Sequence, residues 1–151
     1  VFEDDRKSSA HPFDDPRYFW GRPSATGPIA YNAAASSGSN VGPTNPAKFD
    51  AIKARVEALR AADPGQTAPI PIDLVTASGS GLDPDISPAA AFVQVPRIAR
   101  ARGVGPGAVR ALIERHIDRP TLAVIGEPHV NVLTVNLDLD RAFPMQITRN
   151  P

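Results

Sequence analysis

A small α+β domain, with about three helices packed on a sheet of about three strands and joined by proline-rich loops, is what the sequence predicts. Three observations carry this reading. Helix-type apolar spacing follows cap-then-proline starts. Two other stretches alternate apolar and polar residues. Proline occurs 17 times in 151 residues, about twice the ordinary ~5%, and punctuates the whole chain without forming a tract.

Taken in order, residues 1–17 form a poorly defined N-terminal segment and 18–151 a single domain. Residues 1 to 45 are rich in charge, proline, glycine and serine and show no period. Phe13, Tyr18, Phe19 and Trp20 argue against a wholly disordered tail, because disordered segments are poor in aromatics; the arm should pack on the domain from Tyr18 onward. Asn45-Pro46 opens the first helix, with asparagine as N-cap and proline at the first helical position. Phe49, Ile52, Val56 and Leu59 make its apolar stripe, and Asp63-Pro64-Gly65 stops it. Ile70 to Thr76 reads as a strand, with Pro71 suggesting an edge position or the strand's start. Ser87-Pro88 starts a helix toward Arg102, kinked or split at Pro96 and ended by Gly103. Another helix covers Pro106 to about Asp118, with Val109, Leu112, Ile113 and His116 on its buried face. Thr121 to Ile125 and Val130 to Leu139 read as two strands, the second from the alternation of Leu133, Val135, Leu137 and Leu139 with Thr134, Asn136, Asp138 and Asp140. The last ten residues read as a surface tail.

Composition closes several routes. The 16 basic and 16 acidic residues balance, so the whole chain offers no electrostatic case for nucleic acid or an anionic membrane surface. Arginine supplies most of the positive charge, a bias that reads as genome composition before chemistry. With no cysteine, disulfides, thiolate nucleophiles and cysteine-bound zinc are out. No apolar run approaches the ~20 residues that span a bilayer. The opening at Val1, followed by a charged stretch, shows no signal peptide; a piece of a longer chain is the plainer expectation.

The reactive motifs are missing as well. Ser78-Gly79-Ser80-Gly81 follows the expected strand and precedes a helix, where backbone amides can cradle an anion. No lysine follows Lys53, however, so the Walker pattern is absent. The bland reading of this loop is a glycine turn. No serine lies in a nucleophile elbow, and His11, His116 and His129 lack partners at metal-ligand spacing. Asp83 with Asp85, and Asp138 with Asp140, could touch a hard cation, but two alternating carboxylates are more often a helix cap and a solvated strand face. Residues 87 to 118 outline a helix–turn–helix with surplus arginine. A DNA-binding role would need Arg97, Arg100 and Arg110 on one exposed face.

Four stretches, in order, resemble a known family: Tyr18-Phe19-Trp20-Gly21-Arg22-Pro23-Ser24-Ala25; Tyr31-Asn32 with Ser36 to Pro43; Ser78 to Ala90; and Gly126 to Leu133. Gln94-Val95, Arg97 and Ala101-Arg102-Gly103 also fit. Together they are similar to KdpC, the small subunit of the bacterial high-affinity potassium-transporting P-type ATPase, over roughly Tyr18 to Asp140.

The resemblance implies a non-catalytic accessory subunit that associates with the ATP-hydrolysing and the potassium-channel-like subunits of one membrane complex. It also implies a single membrane-spanning helix, absent from this sequence, that anchors the domain in the bacterial plasma membrane. One family-level picture is a catalytic chaperone that raises the pump subunit's affinity for ATP; another puts the domain outside the cell, over the potassium entrance. The external placement is favoured here, with any effect on ATP transmitted through the assembly. ATP and potassium then belong to the whole complex, and no tightly bound cofactor or nucleic acid is expected. The alternative is an intrinsic nucleotide-binding domain that contributes to a shared ATP site. Ser78, Gly79, Ser80, Gly81, Asp83 and Gln94 are the candidates for a ligand or partner site. Tyr18, Phe19, Trp20, Arg22, Tyr31, Asn32, Ser39 and Asn40 are the interface candidates, the three aromatics being equally suited to core packing.

Overall fold

The computed structural model describes residues 15–26, 34, 36, 38, 39, 42, 44–119 and 126–144. Among them, five α-helices and a three-stranded antiparallel sheet form the α+β architecture that the sequence predicts. The order is α1 (Pro46–Ala62), β1 (Asp85–Ile86), α2 (Pro88–Val93), α3 (Val95–Arg102), α4 (Pro106–His116), β2 (Ile117–Asp118), β3 (His129–Asn131) and α5 (Val132–Ala142), with a 3-10 turn at Ile72–Leu74 between α1 and β1.

Local chemistry sets the helix starts. Asn45 Oδ1 accepts from the Ala47 N–H at 2.9 Å, Ser87 Oγ from the Ala90 N–H at 3.1 Å, and Asn131 Oδ1 from the Thr134 N–H at 3.1 Å. Each satisfies one of the amides that a helix start leaves unpaired. Pro96 has the expected effect: α2 ends at Gln94 and α3 begins directly after it, with the proline in its first turn. Gly103 (φ 65°) closes α3 in the left-handed conformation, and Val104 N–H reaches back to Ala99 O at 3.0 Å.

Val130 is the centre of the sheet. It pairs with Ile86 of β1 on one side and Ile117 of β2 on the other, so the strand order is β1-β3-β2. The strands are two or three residues long and cannot stand alone. They are held by α2, α4 and α5, whose Ala90, Ala91, Val109, Leu112, Ile113, Val132, Val135 and Leu139 form one buried cluster with Val130, Val95, Ile98, Leu74, Tyr18 and Phe19. Helix α4 lies between α3 and α5.

Several expected elements differ. Ile70 to Thr76 is no strand. Pro71 O accepts from the Leu74 N–H at 3.1 Å, and Ile72 O from Val75 and Thr76, so the segment curls into a 3-10 turn that buries Leu74 and exposes Ile72. Val130 to Leu139 is no strand beyond Asn131: the chain turns into α5, which buries Val132, Val135, Asn136 and Leu139 on one helical face and exposes Leu133 and Leu137. Phe143, placed by the sequence in a surface tail, packs against the core. The α1 stripe is only half covered, with Phe49 59% exposed and no residue of α1 fully buried. The expected strand at Thr121 to Ile125 and the segment before Asp15 lie outside the described residues. Among the described residues, no helix is long and apolar enough to cross a membrane.

Candidate functional site

The N-terminal arm, residues 15–26, runs over the helices and is held by side chains of α2–α3 and α5. Gln94 and Asn136 do this in the same way. Trp20 N–H donates to Gln94 Oε1 at 2.8 Å while Gln94 Nε2 donates to Trp20 O at 3.1 Å. Phe19 N–H donates to Asn136 Oδ1 at 2.8 Å while Asn136 Nδ2 donates to Phe19 O at 3.0 Å. Each primary amide thus stands in for the peptide group of a neighbouring strand, which the arm lacks. Both amides are buried, where an unpaired backbone group is costly.

Two arginines complete the clamp. Arg97 is buried; it donates to Pro16 O at 2.5 Å, Tyr18 O at 3.0 Å and Gln94 Oε1 at 2.6 Å, and its guanidinium stacks 3.6 Å from the Trp20 ring centroid. Burial pushes the Arg97 guanidinium down to about 9, against the charges of Asp63 and Asp15, which hold it up. It stays protonated at neutral pH. Arg102 donates to Arg17 O at 2.8 Å, Phe143 O at 3.0 Å and Asp140 Oδ1 at 2.8 Å, and lies over the Tyr18 ring, whose hydroxyl also donates to Asp140 at 3.1 Å. Arginine suits this work because its planar fork reaches several acceptors at once.

The consequence for the aromatic triplet is direct. Tyr18, Phe19 and Trp20 are 3, 2 and 4% exposed. They are core residues of this chain, so of the two readings of the aromatic triplet the structure has the core packing. Gln94, singled out as a ligand candidate, uses its amide on Trp20, Arg97 and Ala90 O. Arg97, buried in the clamp, shares no exposed face with Arg100 and Arg110, so the arrangement that DNA binding required is not formed.

The arm then reaches the Ser78–Asp83 loop. Arg22 Nη1 donates to Asp83 Oδ2 at 3.3 Å, and Ser24 Oγ donates to Gly81 O at 2.7 Å. Ser36 Oγ donates to Ser80 O at 3.1 Å. Asp83 Oδ1 accepts from the Asp85 N–H at 3.0 Å, and Ser80 Oγ from the Leu82 N–H at 3.1 Å. Gly81 has φ 71°, a conformation that costs other residues about 1 kcal/mol or more. The loop is therefore held by the N-terminal part of the chain and by its own side chains: it buries Ser78 and presents Gly79 and Ser80 to solvent. It leads into β1, and α2 takes its first capping bond from the Ser87 side chain. The glycine turn that the sequence favours at this loop thus stands in the structure, with its side chains and carbonyls tied within the chain.

Beside this loop lies an open cleft of about 420 Å3 whose lining includes Arg22, Asp73, Asp83, Asp85, Glu127 and His129. Asp73 Oδ2 accepts from the Ser87 N–H at 2.7 Å, Asp85 Oδ1 from Asn131 Nδ2 at 2.9 Å, and His129 Nε2 stands 3.8 Å from Asp85 Oδ2. Asp73 and Asp83 thus cap backbone amides and Asp85 ties to β3 through Asn131, and among the described residues no His, Cys, Asp or Glu group has the form of a metal site. His116, expected on the buried face of α4, pairs with Asp138 at 3.0 Å across to α5. Arg141 and His116 hold the Asp138 carboxyl below its ordinary range.

Of the sequence candidates, then, Arg22 meets Asp83, and Ser24 meets Gly81. Ser39 is exposed and lines a separate groove against α1 with Lys48, Ile52 and Arg55. Tyr31, Asn32 and Asn40 lie outside the described residues. Asn136, Arg102 and Asp140 hold the arm in roles that sequence reasoning did not assign to them. A polar residue at a core position of α5 was the available signal, and the alternating pattern concealed it.

Residues 6–141 match the family model described as KdpC, K+-transporting ATPase, c chain. The potassium-transporting ATPase KdpC subunit of Sorangium cellulosum is 66% identical over 131 residues, 87% of this chain and 69% of the relative. Those of Methylococcus capsulatus and Herpetosiphon aurantiacus are 65% and 63% identical over 129 residues, in both cases 85% of this chain, with 68% and 67% of the relatives covered. The chain, with its clamped aromatic arm and its tethered Ser-Gly loop, belongs to the KdpC family.

Proposed function

We propose that this chain is the non-catalytic accessory subunit of an ATP-driven potassium uptake complex, and that it docks through the face formed by Arg22, Ser24 and the Ser78–Asp83 loop. Family membership supports the potassium role. The observation that carries the docking face is the tethering of the loop by Ser24 and Arg22. A turn fixed before contact loses little entropy when a partner binds, and Gly79 and Ser80 stand exposed on it.

The partners in this reading are the ATP-hydrolysing subunit and the potassium-channel-like subunit of the same complex. The chain acts as a catalytic chaperone, promoting ATP binding by the pump subunit from the extracytoplasmic side of the bacterial plasma membrane. ATP and potassium are ligands of the assembly, and the chain holds no cofactor of its own. The loop supports an indirect effect, since its Ser80 and Gly81 carbonyls and its Leu82 amide are engaged within the chain.

The test pairs assembly with nucleotide titration. Ser80→Trp, a bulky change on the exposed turn, should leave the fold intact and reduce co-purification with the other subunits and potassium uptake. Unchanged assembly and uptake would refute the docking face. ATP added to millimolar concentration should leave the backbone NMR signals of Ser78 to Asp83 in place in the isolated chain; saturable shifts would favour a nucleotide site within the chain instead.

A further inference from the structure

Ile72 is 72% exposed, although the 3-10 turn that carries it is tied down on both sides. Leu74 of the same turn is buried in the core, and Asp73 Oδ2 accepts from the Ser87 N–H at 2.7 Å. The isoleucine is therefore held outward, on the wall of the open cleft of about 420 Å3 beside the Ser78–Asp83 loop, with Pro71 and Pro128 as further apolar wall. Asp73, Asp83, Asp85 and Glu127 line the same cleft. Among the described residues, Arg22 and His129 are the basic groups on it, and Arg22 already stands against Asp83 at 3.3 Å. Acid outnumbers base there even when His129 is counted as charged, in a chain whose 16 acidic and 16 basic residues balance.

We propose that this cleft docks a protein segment that presents an arginine or lysine, its methylene stem lying on Ile72 and its cationic head among the carboxylates. The inference rests on the docking face proposed for assembly, with which the cleft shares Arg22 and Asp83, and names the chemistry of the partner there. Charge decides the sign of the occupant, because a concave wall of one sign focuses its field on what enters. The apolar wall decides its shape. A long basic side chain is apolar along the stem and charged at the tip, which matches an exposed isoleucine beside acid.

The bonds of the carboxylates exclude two other occupants. Asp83 Oδ1 serves the Asp85 N–H and its Oδ2 serves Arg22, while Asp73 serves Ser87 and Asp85 Oδ1 serves Asn131. Turned to separate partners, these oxygens form no coordination shell for a metal ion. The same bonds occupy the amides of Asp85 and Ser87, in and just after the edge strand β1. An added strand needs main-chain donors at the edge, so recognition here runs through side chains.

The test uses the subunit within its whole complex. Glu127→Lys and Ile72→Ser alter exposed positions and should leave thermal unfolding of the chain unchanged. Glu127→Lys should lower its retention by the other subunits about tenfold, the effect of opposing like charges across a contact, and Ile72→Ser should lower it as well. Because the chain has no cysteine, Ile72→Cys gives a single attachment point for a photocrosslinker, which should mark a partner segment that carries an arginine or lysine. Unchanged retention in both variants, or cross-links confined to lipid or to segments without a basic residue, would overturn the proposal. If Ser80→Trp blocks assembly while both cleft variants assemble, the docking face stands and this partner chemistry falls. If all three assemble normally, both fall.

Discussion

Gln94 and Trp20 exchange two hydrogen bonds, side-chain amide to backbone, across 74 positions of sequence. The same glutamine accepts from Arg97 and donates to Ala90 O, so four buried groups bond to it. Gln94→Leu keeps the shape and removes the amide. It should destabilise the chain by about 3 kcal/mol, since each buried group left unpaired costs roughly 1–3 kcal/mol and relaxation recovers part. Gln94→Glu, which keeps the acceptor for Trp20 N–H and Arg97, should cost less. Urea unfolding followed by Trp20 fluorescence reads both; equal stability of the Leu variant and the parent would contradict the clamp.

Arg97 makes a narrower prediction. Its fork reaches Pro16 O, Tyr18 O and Gln94 Oε1 while its plane stacks on Trp20. Arg97→Lys keeps a charge but offers one compact ammonium without the planar fork. The expected loss is about 2 kcal/mol, with Trp20 fluorescence shifted toward that of a wetter indole. By the same argument Trp20→Ala removes a core residue and should cost about 3–5 kcal/mol, so it cannot serve as a clean probe of assembly.

What the sequence made legible follows from distance along the chain. The start of α1 at Asn45-Pro46, the start of α2 at Ser87-Pro88, the break before Pro96 and the stop at Gly103 are all written in adjacent residues, and all stand in the structure. The Ser78–Asp83 loop was legible as a turn for the same reason. The ties of Arg22 to Asp83 and Ser24 to Gly81 were not, because each joins residues more than fifty positions apart. Gln94 and Asn136 were illegible as clamps, since nothing local says that an arm lies over them. Ile70 to Thr76 misled because Ile70, Ile72 and Leu74 alternate, yet Pro71 lets the chain close a 3-10 turn.

Acid should loosen the entry of the arm. Burial raises the Asp15 carboxyl, but the hydrogen bonds and charge of Arg17 outweigh it and hold the group below its ordinary value of 3.8. The bonds are Arg17 N–H to Oδ1 at 2.9 Å, Arg17 Nε to Oδ1 at 2.8 Å and to Oδ2 at 3.1 Å, and Arg17 Nη2 to Oδ2 at 2.6 Å. A carboxyl with a folded pKa below its unfolded one gives stability that is fully present above the unfolded value and lost as pH falls through the folded one. The effect is modest, as Arg17 is partly solvated. Asp15→Asn should therefore flatten the fall of stability below about pH 4 and leave its slope near neutrality unchanged. An acid limb identical in parent and variant would show that the pair contributes nothing.

Helix α5 carries the sharpest discrimination between two structures of one segment. Leu133, Val135, Leu137 and Leu139 occupy one face of a strand, and in that case all four would be equally intolerant of charge. In the helix, Val132, Val135, Asn136 and Leu139 recur at spacings of three and four and are buried, while Leu133 and Leu137 face outward. The sequence fits both periods, and Asn131 settles the choice by capping the helix through Thr134 N–H. Leu137→Glu should then change stability by about 0.5 kcal/mol or less, as exposed substitutions do. Leu139→Ala should cost about 2–5 kcal/mol, the range for a leucine deleted from a packed core. Thermal unfolding of the two variants separates the alternatives, because a strand predicts heavy losses at both positions and the helix at Leu139 alone.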